Sequence, residues 1–480
     1  MATEQDFRRY RHPAVTRLLT IALLLAGAGV ANCSARSSPA PVPANCKALR
    51  PTTAGGWEKL AAGEIWSGVH TAIGTASVGS NVVIAAYFDP QRFLTVERID
   101  LGSMLACSKT LPSRFGGWDA HNGISLAVSP DGMLHIVGNM HASRMFYAAG
   151  SVSDLQSIRP RPMTGSDEES GTYPQFIRGP KNALYFLYRS GHAGNGRWIV
   201  NAWGDGRWER IGAIFADRDS RGPVSAYPTR FALGSDGRFH VAIVWRRNYD
   251  INSNFAVTYA STNDFKRWSG IGGASSAGPL GPESLPPVER TGEDAGLLNN
   301  PLLVLDNSSQ PVVIYSRYSK QGPNAVFAAQ AVDGHWQIRP LAVGRTKLIV
   351  AGTGTLSGLP VMSLAEDCSN ELAQVHVNFP PRDLRLITID RRNSKIGTGN
   401  ILCPTWHSGF PFPKPPSAGM ANVSLNTADV RRDGVGAVQP YLFYWFAQGA
   451  NRDRPRECTH AAPRACAPPP SELVLVRKAR

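Results

Sequence analysis

The stretch H-N-G-I-S-L-A-V-S-P-D-G-M-L-H-I-V-G-N-M-H, residues 121–141, decides the reading of the fold. Two alternating apolar runs flank Ser129-Pro130-Asp131-Gly132, where proline presets one turn dihedral and glycine is free to take positive φ, so the stretch reads as a β-hairpin. With the turn centred on Asp131, cross-strand partners carry numbers that sum to 262, which sets His121 opposite His141 at the open end. The next segment, T-Y-P-Q-F-I-R-G-P-K-N-A-L-Y-F-L-Y-R from Thr172, folds about Gly179-Pro180-Lys181-Asn182 and by the same rule sets Tyr173 opposite Arg189. A third copy, A-Y-P-T-R-F-A-L-G-S-D-G-R-F-H-V-A-I-V-W-R, places Arg246 as far beyond Gly237 as His141 stands beyond Gly132. Successive hairpins thus bring two histidines, a tyrosine and two arginines to one level.

Repetition extends this local reading to the whole chain. S-P-D-G-M-L-H-I-V at 129–137 returns as G-S-D-G-R-F-H-V-A at 234–242, with looser copies at 181–189 and 305–317. Strands are expected at Val82–Tyr87, Ile124–Val128, Leu134–Gly138, Leu184–Tyr188, Phe239–Trp245, Leu302–Leu305, Val312–Tyr315, Leu348–Val350 and Tyr441–Phe446. Y-A-S-T-N-D-F-K-R-W at 259–268 resembles a degenerate Asp-box, a turn of sialidase-type propellers, without its central glycine. Units of about 45–55 residues with roughly four strands each predict an all-β, seven-bladed β-propeller over residues 52–453. His135 and His240 recur inside the D-G-x-x-H pattern and read as structural strand positions.

The ends of the chain differ in composition. Residues 1–33 combine a basic start with an apolar run from Leu18 to Ala31 that is short for a membrane span, the pattern of an export signal. Cleavage near Ala31 and lipid modification of Cys33 both stay open, because Asn32 stands where a lipobox has a small residue. A Pro/Ser/Ala-rich linker is expected over 34–51 and a Cys/Pro-rich segment over 454–480, where Cys458 and Cys466 are the natural local disulfide pair. The other cysteines leave their pairing open.

The 50 Lys and Arg against 36 Asp and Glu give a net charge of +14, of which the leader supplies only a small part. Such a surface favours polyanions; the basic residues are dispersed and no recognition-helix pattern occurs, so an acidic polysaccharide or oligosaccharide is the expected partner and nucleic acid is not. The chain has no H-E-x-x-H, phosphate loop, dinucleotide fingerprint or G-x-S-x-G, which argues against zincin, nucleotide and α/β-hydrolase chemistry. Neither a metal nor another cofactor is required by the sequence: two histidines alone make a poor zinc site, and only Asp119 lies close by. Structural calcium stays open.

From about Trp57 to Gly270 the chain resembles BNR-repeat proteins that include propeller-type ulvan lyases and rhamnosyl-glucuronate lyases, through D-A-H-N-G, G-N-M-H, T-Y-P-Q-F, Y-R-S-G-H-A-G-N-G and V-W-R-R. The resemblance implies a seven-bladed propeller that cleaves uronate-containing glycans by β-elimination. It maps the catalytic residues to His121, His141 and Tyr173 and the carboxylate-binding arginines to Arg189 and Arg246. The chemistry agrees with those residue types. Removing the weakly acidic C5 proton of a uronate needs its carboxylate neutralised, which two guanidiniums can do, and it needs a base and an acid: one histidine as base and Tyr173 as acid, if nearby cations lower its pKa, is the favoured assignment, and reversed or shared roles stay open. Asn122, Asn139 and Arg317 are further candidate substrate contacts, whereas Tyr227 reads as a packing residue at a strand start. A non-catalytic acidic-glycan-binding propeller is the alternative, and a sialidase-like hydrolase the weaker third reading, because no carboxylate acid or tyrosine–glutamate pair stands beside these residues.

Overall fold

Short alternating runs closed by Gly, Asn and Asp turns leave little room for helices. The computed structural model is accordingly all-β, with four 3₁₀ turns among the described residues. It describes residues 45–479 except 355, 357, 370, 382, 400, 401, 404, 417 and 418, and omits the side chains of 366–369. The expected leader, Cys33 and the first part of the linker lie outside the described residues. Among those described, no helix is long and apolar enough to cross a membrane.

The strands form antiparallel meanders arranged as a propeller, with the first strands of several neighbouring sheets standing side by side. Among the described residues, six sheets are each built mainly from one continuous stretch: Gly74–Val78 to Leu105–Arg114, Ile124–Val128 to Arg159–Pro160, Gly171–Arg178 to Arg207–Ala213, Ser225–Pro228 to Ser275–Ala277, Leu302–Leu305 to His335–Val343, and Val361–Ser369 to Lys395–Gly399. The expectation of seven like blades is therefore corrected to six. The remaining large sheet is a composite that joins Val423–Arg431, Val438–Gln448 and Ser471–Lys478 to Trp57–Ile65 and Thr52–Ala54. Dividing the length of the chain by a repeat of fixed size counts the end segments as one more like unit, although their strands come from both ends of the chain and join in this composite. Part of the stretch read as linker is also structured: Cys46–Ala48 lies beside Leu105–Cys107, and a Cys46–Cys107 disulfide holds it there. Cys458 pairs with Cys466, as expected.

The hairpin at 121–141 has the expected register, with Ile124 opposite Gly138 and Val128 opposite Leu134. Gly132 closes its turn at φ 80°, a conformation glycine adopts without steric cost. The second hairpin departs from its expected register. Gln175 faces Leu187 and Arg178 faces Leu184, but the ladder slips between Thr172 and Gln175, so that Thr172 rather than Tyr173 stands opposite Arg189. Leu348–Val350 is not a strand: its amides are held by the Asn324 side chain and the Tyr318 hydroxyl.

His135 and His240 tie neighbouring blades together. His135 is buried with its Nδ1 2.8 Å from the Tyr147 hydroxyl, which also accepts from the indole of Trp208 on the following blade. His240 repeats the arrangement with Tyr259, whose ring meets Trp336 of its following blade. Burial lowers the His135 pKa to about 3, so the ring stays neutral. Large aromatics fill the seams between sheets: Trp245 and Trp268 are buried with Phe215 and Phe231. Each such side chain contributes on the order of 2–3 kcal/mol of hydrophobic stabilisation.

Candidate active site

A cup of about 630 Å³ opens where several hairpin ends meet, and all five principal candidates, His121, His141, Tyr173, Arg189 and Arg246, line it. His121 and His141 sit just past the paired ends of their hairpin, and their rings stack with centroids 4.4 Å apart. Tyr173 lies 6.0 Å from His121 and 6.4 Å from His141, centroid to centroid. It reaches this place through the bulge at 172–175, where its backbone takes φ 58°.

Arg189 is 1% exposed and lies 4.8 Å over the Tyr173 ring. Its Nη2 donates to the Thr172 hydroxyl, while its Nε and Nη1 are buried without a hydrogen-bond partner among the described residues. An unpaired buried guanidinium is expensive to desolvate, and it becomes favourable when an anion completes it. Arg246 is also buried; it donates from Nε to Asn254 and from Nη1 to the Tyr227 hydroxyl, over whose ring it lies at 4.3 Å. Its neighbour Arg247 turns instead to Asp219 at 2.6 Å. Two adjacent blades thus carry the same device, an arginine stacked on a tyrosine that precedes a proline.

Tyr227 is therefore a cup residue and not a packing residue only. The repeated Y-P dipeptide at 173–174 and 227–228 is the signal that could have shown it. Sequence reasoning also passed over other lining residues, among which Tyr249, Ile251 and Val361 add apolar surface and Asn299 and Asn300 add amides. Three candidates lie elsewhere. Asn122 bonds back to the Asp119 carbonyl, Asn139 donates to Ser113, and Arg317 is engaged by the Glu289 carboxylate through Nε and Nη2, each at 2.8 Å. None of them lines the cup.

Burial pushes the Tyr173 phenol above its ordinary pKa, and the opposing pull of Arg189 and Arg246 does not cancel it. This corrects the expected lowering. The phenol keeps its proton at neutral pH. Asp119 lies behind the histidines: its Oδ1 accepts from Nδ1 of His121 at 2.6 Å and its Oδ2 accepts from Nδ1 of His141. Burial opposes the Asp119 charge, but the hydrogen bonds from both imidazoles outweigh it and hold the carboxyl well below the usual range. Asp119, His121 and His141 form a set of three groups close enough to share a metal ion. In this structure both Nδ1 atoms of that set meet the Asp119 carboxylate.

Residues 84–343 match the family described as BNR repeat-containing family member. No curated protein matches this chain in sequence. Among solved structures it is similar to the polysaccharide lyase Uly1, with a TM-score of 0.53 and 14% identity over 86% of this chain and 90% of that one. It is also similar to a PL25 ulvan lyase, with a TM-score of 0.57 and 13% identity over 84% of this chain and 94% of that one. The same ulvan lyase bound to -[GlcA(1-4)Rha3S]- gives a TM-score of 0.56 at 12% identity, over 84% of this chain and 94% of that one. At such identities the likeness establishes a common propeller fold.

Proposed function

This chain belongs to the BNR repeat-containing family, and from that premise and the contents of the cup we propose that it is a polysaccharide lyase cleaving a uronate-containing glycan by β-elimination. The observation that carries the reading is Arg189, a buried guanidinium with two donor nitrogens unpaired among the described residues, beside a second arginine, a protonated phenol and two imidazoles. A uronate carboxylate seated on Arg189 and Arg246 loses much of its charge, which acidifies the adjacent C5–H. Nε2 of one histidine takes that proton. The C–H electron pair becomes the C4=C5 double bond, the C4–O4 bond breaks, and the Tyr173 phenol protonates the departing O4. Solvent then carries the histidine's proton away and restores the phenol. Burial of Tyr173 serves this step, because an acid must still hold its proton at working pH.

We place the enzyme outside the cytoplasm: the basic and apolar leader agrees with export, and the Cys46–Cys107 and Cys458–Cys466 disulfides agree with an oxidising compartment. The test is incubation with glucuronate-containing glycans, starting with the -[GlcA(1-4)Rha3S]- type bound by its structural neighbour. A lyase raises ultraviolet absorbance as the double bond forms in conjugation with the carboxylate. New reducing ends without that absorbance would mean hydrolysis, and glycan retention without either would mean a binding module.

A further inference from the structure

We infer that Asp119 is a positioning residue that sets the tautomer of both histidines at once, an inference that rests on the lyase reading above. A neutral imidazole carries one proton, and the ring nitrogen that meets a carboxylate is the one that carries it. Each oxygen of Asp119 is met by Nδ1 of a different ring, so both His121 and His141 are Nδ1–H tautomers. Nε2 of each ring then presents a lone pair. The carboxylate is itself fixed, because Oδ1 also accepts the backbone N–H of His121 at 2.8 Å and the Asp119 carbonyl accepts the amide of Asn122. One charged side chain therefore prepares two candidate bases and compensates the imidazolium that forms when either takes the C5 proton.

The replacement Asp119→Asn separates this role from a structural one. A carboxamide keeps the turn to the His121 amide, but it has one acceptor oxygen and one donor nitrogen. It can accept from only one Nδ1–H, so the other ring must turn its Nδ1 lone pair to the amide and move its proton to Nε2. A base becomes a donor in an otherwise unchanged cup.

The tautomers are read in the full chain by long-range proton–nitrogen NMR of labelled imidazoles in mildly alkaline solution, with peaks assigned through His121→Gln and His141→Gln. Both rings are expected as Nδ1–H in the wild type, and one as Nε2–H in D119N. kcat should fall by about 10²–10⁴-fold with KM within a few-fold, as expected when a catalytic imidazole is held in the wrong tautomer. A wild-type spectrum with either ring mainly Nε2–H would overturn the inference, as would a D119N variant with unchanged tautomers and kcat. Stoichiometric Zn²⁺ shifting both rings together would also overturn it, making Asp119 a metal ligand. If no glycan yields unsaturated product, the lyase reading fails, while the NMR experiment still decides the tautomers.

Discussion

The guanidinium of Arg189 lies 4.8 Å from the ring centre of Tyr173, although the residue facing Arg189 across the ladder is Thr172. The bulge between Thr172 and Gln175 produces this offset, holding a non-glycine residue at φ 58°, where an L side chain costs roughly 1–2 kcal/mol. Strain of this kind persists only where the surroundings enforce it. Its effect is to put the phenol beside the histidines and to leave Arg189 beneath it with donors to spare.

Arg189→Met should make the unliganded protein more stable and unable to hold its substrate. Nε and Nη1 of Arg189 are buried with no acceptor among the described residues, and a thioether of similar length removes that cost. Chemical denaturation should show a gain of about 1–3 kcal/mol. Calorimetry with a glucuronate oligosaccharide should show binding in the wild type and none in the variant. A variant that is less stable and still binds would mean that Arg189 has an internal structural role.

Tyr173→Phe removes only the acid. With the ring and its contacts to Arg189 retained, kcat should fall by about 10²–10⁴-fold while KM changes little. The pKa of Tyr173 is raised by burial, so deprotonation of this phenol should not limit the wild-type rate at any pH below about 10. A rate that collapses between neutral pH and that value, with the fold intact, would show the phenol ionising too early to act as the acid.

The hairpin about Asp131 was fully legible because its strands run in unbroken register, so a sum of residue numbers placed His121 against His141. The same arithmetic failed by one position at Tyr173, since a bulge is a property of the folded ladder and leaves no mark in the alternation of side chains. Arg246 was placed by its spacing beyond Gly237, yet its partner Tyr227 was passed over, although its strand carries the same Y-P dipeptide as that of Tyr173. The composite sheet was invisible for a different reason: Trp57–Ile65 and Ser471–Lys478 pair across nearly the whole chain, and no local pattern encodes that distance. Asp119 stood in plain view two residues from His121, but its bond to His141 exists only after the hairpin closes.

Arg317→Ala should cost stability and spare activity. Arg317 grips Glu289 with two donors, and the Tyr315 hydroxyl shares the same carboxylate. Removing the cation strands a partly buried carboxylate, a loss of about 1–3 kcal/mol in denaturant unfolding. Because Arg317 does not line the cup, kcat/KM should stay within about twofold. A variant of normal stability with a large rise in KM would return Arg317 to the substrate rim.

Glu97 gives the fold a pH dependence of its own, remote from the cup. It is 2% exposed, it accepts from the Tyr87 hydroxyl at 2.8 Å, and burial pushes its pKa up to about 7 from 4.5, against the smaller opposing pulls of Tyr87 and Lys47. Between those two values the native state holds a proton that the unfolded chain has released, so stability is fully present below about pH 4.5 and declines as pH rises toward about 7. The integrated change is about 3 kcal/mol, and Glu97→Gln, which is never charged, should abolish it. Unfolding free energies measured on both proteins should agree below about pH 4.5 and diverge between there and about pH 7, the glutamine variant being the more stable above that by about 3 kcal/mol. Parallel curves across that range would mean that Glu97 is charged in the native state, with a compensating cation in place of the burial described here.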